Sequence, residues 1–438
     1  MGRLNDIFFI MKKIKGRLLY ILFVWLVLLY LPSGCEKDPE PEPEPQNLTP
    51  LLAWQIMNDY YLWNETMPVI DPSNYNTPQD VMEALRNRTY DRFSYIEDTE
   101  AFNQYFQEGK YIGYGLSLKY AEDGILRVAF VYHNSPADHA GINRGWALQS
   151  INGTNIEPFS DYTDLLGEDQ AGIVNSFIFT DLDQQEVSLS MTKQEVNINS
   201  VLHSQIIEIG DTTVAYLVFN HFIQTSLVEL DSIFTEYSST GVDELILDLR
   251  YNRGGMESVY SYLAGLIGGT ITENQVITKY VHNNKQAISD REIRAESFFN
   301  SISVDRVLFI TSRSTASASE LIINGLKPLI EVRCFGDNTY GKPVGMYIWQ
   351  YDDLTFVPIC FRFLNANDEG DFYDGLVPDV YVTDDLALPF GNPGEDCFQS
   401  AMNYLETGIL EAPGIRKAAR VPVQEFLPAG IRSEIGAI

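Results

Sequence analysis

Cysteine, histidine and basic residues are all scarce in this chain. Four cysteines and five histidines are spread over 438 residues. Beyond Cys35 only Cys334, Cys360 and Cys397 remain, an odd number with irregular spacing, which argues against a disulfide framework and against a metal site; such cysteines ordinarily serve as small buried apolar groups. Lysine and arginine total 30 against 60 aspartates and glutamates, a formal charge of -30. A field of that sign repels phosphate backbones, and no basic stripe or zinc-ligand spacing offsets it, so nucleic-acid binding is excluded as a function class. What the chain does have is 45% hydrophobic and 12% aromatic residues, the composition of a globular protein. Its length exceeds what one core usually serves, so two or three domains are expected.

Residues 1–34 read as a targeting segment. Lys12, Lys13, Lys15 and Arg17 precede an apolar run from Leu18 to Pro32, short for a membrane span but suited to a signal peptide, with Met11 as an alternative start. The run ends at Leu31-Pro32-Ser33-Gly34-Cys35, which resembles a bacterial lipobox, although Pro32 stands where leucine is usual. The resemblance implies a lipidated Cys35 and membrane attachment through it, in the cell envelope as an outer-membrane lipoprotein, periplasmic or surface-exposed. Simple secretion and an uncleaved anchor are the alternatives. Residues 35–46 continue through Glu36-Lys37-Asp38 into alternating Pro and Glu, an extended tether that buries no core. An acidic stretch directly after such a cysteine resembles the surface-export signal of Bacteroidetes lipoproteins, while a plain charged spacer has the same composition.

Residues 47–107 show apolar positions at helical spacing, among them Leu48, Leu51, Leu52, Ile56, Met57 and Tyr60, with a second start at Pro78-Gln79-Asp80; a small helical region is expected. Residues 108–195 carry Gly113-Tyr114-Gly115-Leu116, then Ser135-Pro136-Ala137 through Ala140-Gly141, then Ile151-Asn152-Gly153. This looks like a PDZ domain of the bacterial protease type. The resemblance implies that Gly113, Tyr114, Gly115 and Leu116 form the loop receiving a peptide's terminal carboxylate, with the peptide added as a strand at the sheet edge. A PDZ fold that only braces the core is the alternative.

From 196 to 412 the pattern alternates. Val214–Phe219 and Glu244–Leu249 read as strands with an amphipathic helix from Ser226 to Tyr237 between them, which predicts an α/β core. Leu245-Ile246-Leu247-Asp248-Leu249-Arg250 runs into Tyr251-Asn252-Arg253-Gly254-Gly255, with a helix opening at Met256. A glycine pair between strand and helix turns backbone N–H groups toward a ligand, the construction of an oxyanion hole and equally of an ordinary tight turn. The pattern repeats at the strand Arg306–Ile310, followed by Ser314-Thr315-Ala316-Ser317-Ala318-Ser319-Glu320 and a helix over 318–326. Composition alone favours helix capping by Ser312, Ser314, Thr315, Ser317 or Ser319, with Glu320 as a first-turn acid. Lys342 follows Ser317 by 25 residues, in a glycine-bounded loop with apolar flanks. An isolated lysine in a turn is ordinarily a solvated charge; as a base it requires a pKa several units below about 10.4, which burial supplies.

The order PDZ segment, L-D-L-R-x-N-x-G-G, T-A-S-A-S-E and T-x-G-K resembles the C-terminal processing peptidases, or tail-specific proteases, over roughly residues 50–405. The resemblance implies a crotonase/ClpP-like α/β core with the PDZ domain inserted and a peptide or protein substrate. It implies Ser317 as nucleophile, Lys342 as general base, Gly254 or Gly255 with the Ala318 N–H as oxyanion hole, and no metal or organic cofactor. Many members place a glutamine downstream of the lysine to hold it, whereas this chain reads Pro343-Val344-Gly345-Met346. His221 is an alternative base, since related tricorn-type peptidases use Ser and His. Met346 also supports a rival reading, a non-catalytic peptide- or ligand-binding surface lipoprotein that keeps the fold. An acyl-CoA enzyme of the crotonase class shares the oxyanion logic but leaves the PDZ segment and the Ser/Lys spacing unexplained. Asp374 to Val380 resembles the family's closing strand, residues from Glu395 its last helix, and 413–438 match nothing known to us.

Overall fold

The computed structural model describes residues 48–410. Cys35, the leader, the Pro/Glu segment and residues 413–438 lie outside the described residues. Among those described, no helix is long and apolar enough to cross a membrane.

The chain opens with helices Thr49–Tyr60 and Pro78–Leu85. Each carries proline in its first turn, where the missing N–H removes no helical bond. Thr77 Oγ1 accepts from the Asp80 N–H at 3.1 Å, an N-cap that fixes the second start. Their apolar faces (Ala53, Ile56, Met57, Val81, Met82 and Leu85) pack on Val344, Phe356 and Ile359. The predicted helical region is therefore bedded against the strand that follows Lys342.

A small antiparallel module comes next. Strand Lys110–Gly113 pairs with Gln194–Asn197, Gly113 facing Gln194, so the module's entry and exit lie side by side. Between them one sheet runs in the order Leu116–Tyr120, Leu126–Val131, Ala147–Ile151, Val174–Thr180, Glu186–Thr192. Its core is Tyr114, Leu116, Val128, Phe177, Phe179 and their neighbours. Strand Leu116–Tyr120 stands at one edge of this sheet.

The third part is mixed α/β, as the alternating pattern predicts. Its sheet has the order Val201–Ile209, Thr212–Phe219, Glu244–Asp248, Arg306–Thr311, Glu331–Gly336, Val380–Tyr381. Only the first pair is antiparallel. Period-two alternation divides the strands between two cores. Ala215, Leu217, Leu245, Leu247, Val307 and Phe309 face helices Ser226–Thr240, Glu257–Thr272 and Ala318–Leu326. Tyr216, Ile246, Leu308 and Ile310 face helix Asp396–Thr407. Burial on both faces explains the near-continuous apolar runs seen in the sequence. A four-stranded antiparallel sheet that includes Val276–His282, Val344–Met346 and Ile359–Leu364 flanks this core.

Three adjacent parallel strands end at Asp248, Thr311 and Gly336. The glycine turn, the serine turn and the lysine loop all leave from their carboxyl ends, where open α/β sheets present ligand sites.

Candidate active site

Helix Ala318–Leu326 begins as predicted, with Ser317 at its N-cap. An ordinary N-cap residue sits in the β region, but Ser317 has φ 54° and ψ -117°. A side-chain-bearing residue held at positive φ costs on the order of 1–3 kcal/mol and persists where surrounding structure imposes it. The four other hydroxyls of the turn are committed elsewhere. Ser312 Oγ donates to the Arg250 carbonyl, Thr315 Oγ1 to the Leu249 carbonyl, and Ser319 Oγ to the Asn252 carbonyl, while Ser314 Oγ accepts from Lys119 Nζ. Ser314, Thr315 and Ser319 are buried, whereas Ser317 is partly exposed. Ser317 forms a capping box with Glu320, yet does so from a backbone conformation that ordinary caps do not use.

What imposes the strained turn is Glu320, fully buried at 0% exposure. Its Oε2 accepts the Ser317 N–H at 2.9 Å and the Lys342 N–H at 2.8 Å. Its Oε1 accepts the Gly341 N–H at 2.7 Å and the Thr339 hydroxyl at 2.5 Å. One carboxylate thus joins the serine turn to the lysine loop. Burial raises its pKa, opposed by the bonds from Thr339, Lys342, Gly341 and Ser317. Lys342 is 7% exposed, and its Nζ lies 5.6 Å from the centre of the Phe93 ring. We expect Glu320→Gln to keep the side chain's shape but turn an NH2 group toward N–H donors. The loss should be about 3 kcal/mol in denaturant unfolding, from buried groups left unpaired, and the order of both turns should fall with it.

The glycine pair divides its tasks. A Cβ on Gly254 (φ 95°) would stand 2.7 Å from Ala318 N and 2.8 Å from Ser317 Cβ, so the serine turn packs directly on this residue. A Cβ on Gly255 (φ 138°) would stand 2.2 Å from the Phe222 carbonyl oxygen. The Gly254 N–H donates to Asn252 Oδ1 at 2.8 Å. Asn252, wholly buried, also accepts the Ala316 N–H on its carbonyl at 3.0 Å and donates its side-chain amide to the Phe219 carbonyl at 3.0 Å. It locks the glycine turn to the serine turn.

His221 does not face Ser317 as a base. Its Nδ1 lies 2.9 Å from Tyr105 Oη and its Nε2 2.6 Å from Tyr132 Oη. Burial, reinforced by Arg253, pushes its pKa down to about 3. Both ring nitrogens are occupied in the interior, and the alternative base is set aside. Met346, at the expected glutamine position, is partly buried against apolar clusters, while the Lys342 main chain is held by Glu320. In the small module, Gly113 ends one strand and Leu116 opens the next, with Tyr114 and Leu116 fully buried. Gly115, at φ 83°, lies so close to Ser135 that a Cβ would stand 2.1 Å from that residue's Cβ. Lys119, on the edge strand of the module, reaches the serine turn through Ser314. Among the described residues Asp384, Asp385 and Glu395 come close enough to share a cation. The carboxylates of Asp384 and Glu395 are already matched to Arg250 and, for Asp384, Arg144.

Residues 213–382 match peptidase family S41, and residues 53–95 match the peptidase S41 N-terminal domain. Over these two segments the chain is similar to peptidase family S41. Its similarity to the probable CtpA-like serine protease of Staphylococcus aureus (strain bovine RF122 / ET3-1) is 22% identity over 301 residues, covering 67% of this chain and 57% of that protein. The corresponding protein of Staphylococcus haemolyticus (strain JCSC1435) is 20% identical over 297 residues, with the same shares covered. The chain therefore spans 57% of the length of the curated relatives it matches. A crystal structure from Bacteroides fragilis NCTC 9343, of a chain assigned to the S41 proteases, superposes with a TM-score of 0.69. Its identity is 22%, and the match covers 85% of this chain and 100% of that one. At that identity the likeness speaks for the fold, which is the mixed α/β fold of S41 peptidases.

Within the S41 segment, Asn252 and the bridging role of Glu320 are the features that sequence reasoning missed. Both residues stood in the quoted motifs. Their bonds run between turns some 20 to 65 residues apart, and spacing along the chain carries no sign of them.

Proposed function

We propose that this chain is a serine endopeptidase that hydrolyses peptide bonds of protein substrates with Ser317 as nucleophile and Lys342 as general base. The observation that carries the reading is the Glu320 carboxylate, which binds the main-chain N–H groups of both residues. Lys342 Nζ takes the hydroxyl proton as Ser317 Oγ adds to the scissile carbonyl carbon. The leaving amine departs with that proton, and water then hydrolyses the acyl-enzyme. The tetrahedral oxyanion is held by the N–H groups of Gly255 and Ala318. The Gly254 N–H is already given to Asn252, so Gly254 contributes by its missing side chain and Gly255 by its donor.

We read the antiparallel module as a PDZ domain inserted in a crotonase/ClpP-like core. A substrate's C-terminus would lie along the edge strand Leu116–Tyr120, its carboxylate at the loop Gly113–Leu116. Supporting this, Lys119 on that same strand touches the turn that carries Ser317. Lipid attachment at Cys35, in the outer membrane of a bacterial envelope, belongs to the same proposal and rests on the sequence alone. Met346 favours a second reading, a non-catalytic binding protein of the same fold.

A fluorophosphonate probe applied to the folded full-length chain decides between the two. Covalent labelling at Ser317 that is lost in Lys342→Met supports the peptidase. No labelling of Ser317, or labelling of Lys342→Met at the wild-type rate, overturns it.

A further inference from the structure

His221 lies where three parts of the chain meet. Tyr105 belongs to the helical region, Tyr132 to the inserted module, and His221 follows the core strand Thr212–Phe219. All three side chains are buried. The hydrogen-bond directions follow from the outermost donor. Asn220 Nδ2 lies 3.0 Å from Tyr132 Oη; with the amide as donor, the Tyr132 hydroxyl hydrogen is free for His221 Nε2 and the imidazole proton for Nδ1, facing Tyr105 Oη. The backbone on either side is equally tied. Ser226 Oγ donates to the His221 carbonyl at 2.8 Å. The Phe222 N–H donates to the Gly254 carbonyl at 3.0 Å, and the Phe222 carbonyl accepts the Met256 N–H at 2.7 Å. Residue 222 therefore brackets Gly255, and the place of its oxygen is set one residue upstream.

We propose that His221 is a positioning residue for the Gly254–Met256 turn, transmitting the seating of Tyr105 and Tyr132 to the N–H of Gly255. The proposal rests on the peptidase reading for its kinetic consequence and on geometry alone for its structural one. Misplacing a transition-state donor by about 1 Å lowers turnover on the order of 100-fold without weakening ground-state binding. Its signature is a fall in maximal rate at constant half-saturation.

The test measures fluorophosphonate labelling of the full-length chain against probe concentration and pH, together with amide hydrogen exchange over Gly254–Met256. We expect His221→Ala to lower the maximal labelling rate about 10- to 100-fold, with the half-saturating concentration within about twofold. Tyr132→Phe, which removes one oxygen, is expected to lower it about three- to tenfold, by a smaller displacement of the same donor. His221→Gln, which can still meet Tyr132, should recover part of the loss. The shape of the pH profile should be unchanged and the Met256 amide should exchange faster in each variant. Folded His221→Ala and Tyr132→Phe with wild-type labelling and exchange overturn the proposal. So does loss of the acidic limb of the pH profile, which would make His221 a titrating base. A wild-type chain that does not label sinks the peptidase reading instead, and the exchange measurement then judges the positioning role by itself.

Discussion

Ser317→Ala is expected to lower peptide-bond hydrolysis by about 10⁴- to 10⁶-fold in kcat while leaving the fold unchanged. On the proposed mechanism the size follows from removing the attacking oxygen, and the unchanged stability follows from geometry. Alanine keeps the Cβ that makes φ 54° unfavourable, so the local strain stays. Ser317→Gly separates the two effects. It should be as inactive as the alanine variant yet gain stability on the order of 1 kcal/mol, because glycine occupies positive φ without steric cost. Thermal unfolding of both variants beside a peptide-hydrolysis assay checks this. Equal melting temperatures for the two would show that the turn is not strained.

The second large effect concerns Arg250, whose side chain is fully buried and meets three carboxylates. Its Nη2 lies 2.7 Å from Asp248 Oδ2, and its Nη1 lies 3.1 Å from Asp384 Oδ1 and 2.5 Å from Glu395 Oε1. Arg144 of the inserted module joins the same group, with Nη2 2.8 Å from Asp384 Oδ1. Arg250→Ala takes this cation from Asp248 and Glu395 and leaves Asp384 with Arg144 alone, and breaking a buried pair in this way costs about 3–5 kcal/mol. Arg250→Lys should restore little, since one ammonium cannot span the planar fork. Acid titration gives an independent check. Burial works to raise the Asp384 pKa, but the charges of Arg144 and Arg250 outweigh it and hold the carboxyl below its usual range. Its contribution to stability is therefore complete above about pH 4, the unfolded value, and fades as the pH falls through the folded one. In Arg250→Ala that acid-labile contribution should shrink, seen as a flatter dependence of unfolding free energy between about pH 4 and pH 2.

Much of this architecture was legible in the sequence because local physics dictates it. The helix over Ala318–Leu326 and the buried strands leading to Asp248 and Thr311 follow from apolar runs ended by small residues. The division of labour between Gly254 and Gly255 was not legible, because it depends on what each faces across space: Ser317 for one, Phe222 for the other. Glu320 looked like an ordinary first-turn acid, and by local bonding it is one. Its second oxygen accepts from Thr339 and Gly341, donors on a loop delivered by a different strand. His221 illustrates the converse. A histidine near the right element suggested a base, and only the two tyrosines contributed by other parts of the chain reveal that its nitrogens are spoken for.

The ladder of Lys110–Gly113 on Gln194–Asn197 has an evolutionary and practical meaning. Paired strands lie about 5 Å apart, so the core encounters the whole module as a gap no wider than a hairpin. Any self-folding cassette with neighbouring ends fits such a gap without stretching the sheet behind it. Contacts at Lys119, Tyr132 and Arg144 tie the present cassette to the serine turn, to His221 and to Asp384. Module and core can thus be exchanged separately, by splicing at two adjacent points and carrying those side chains across.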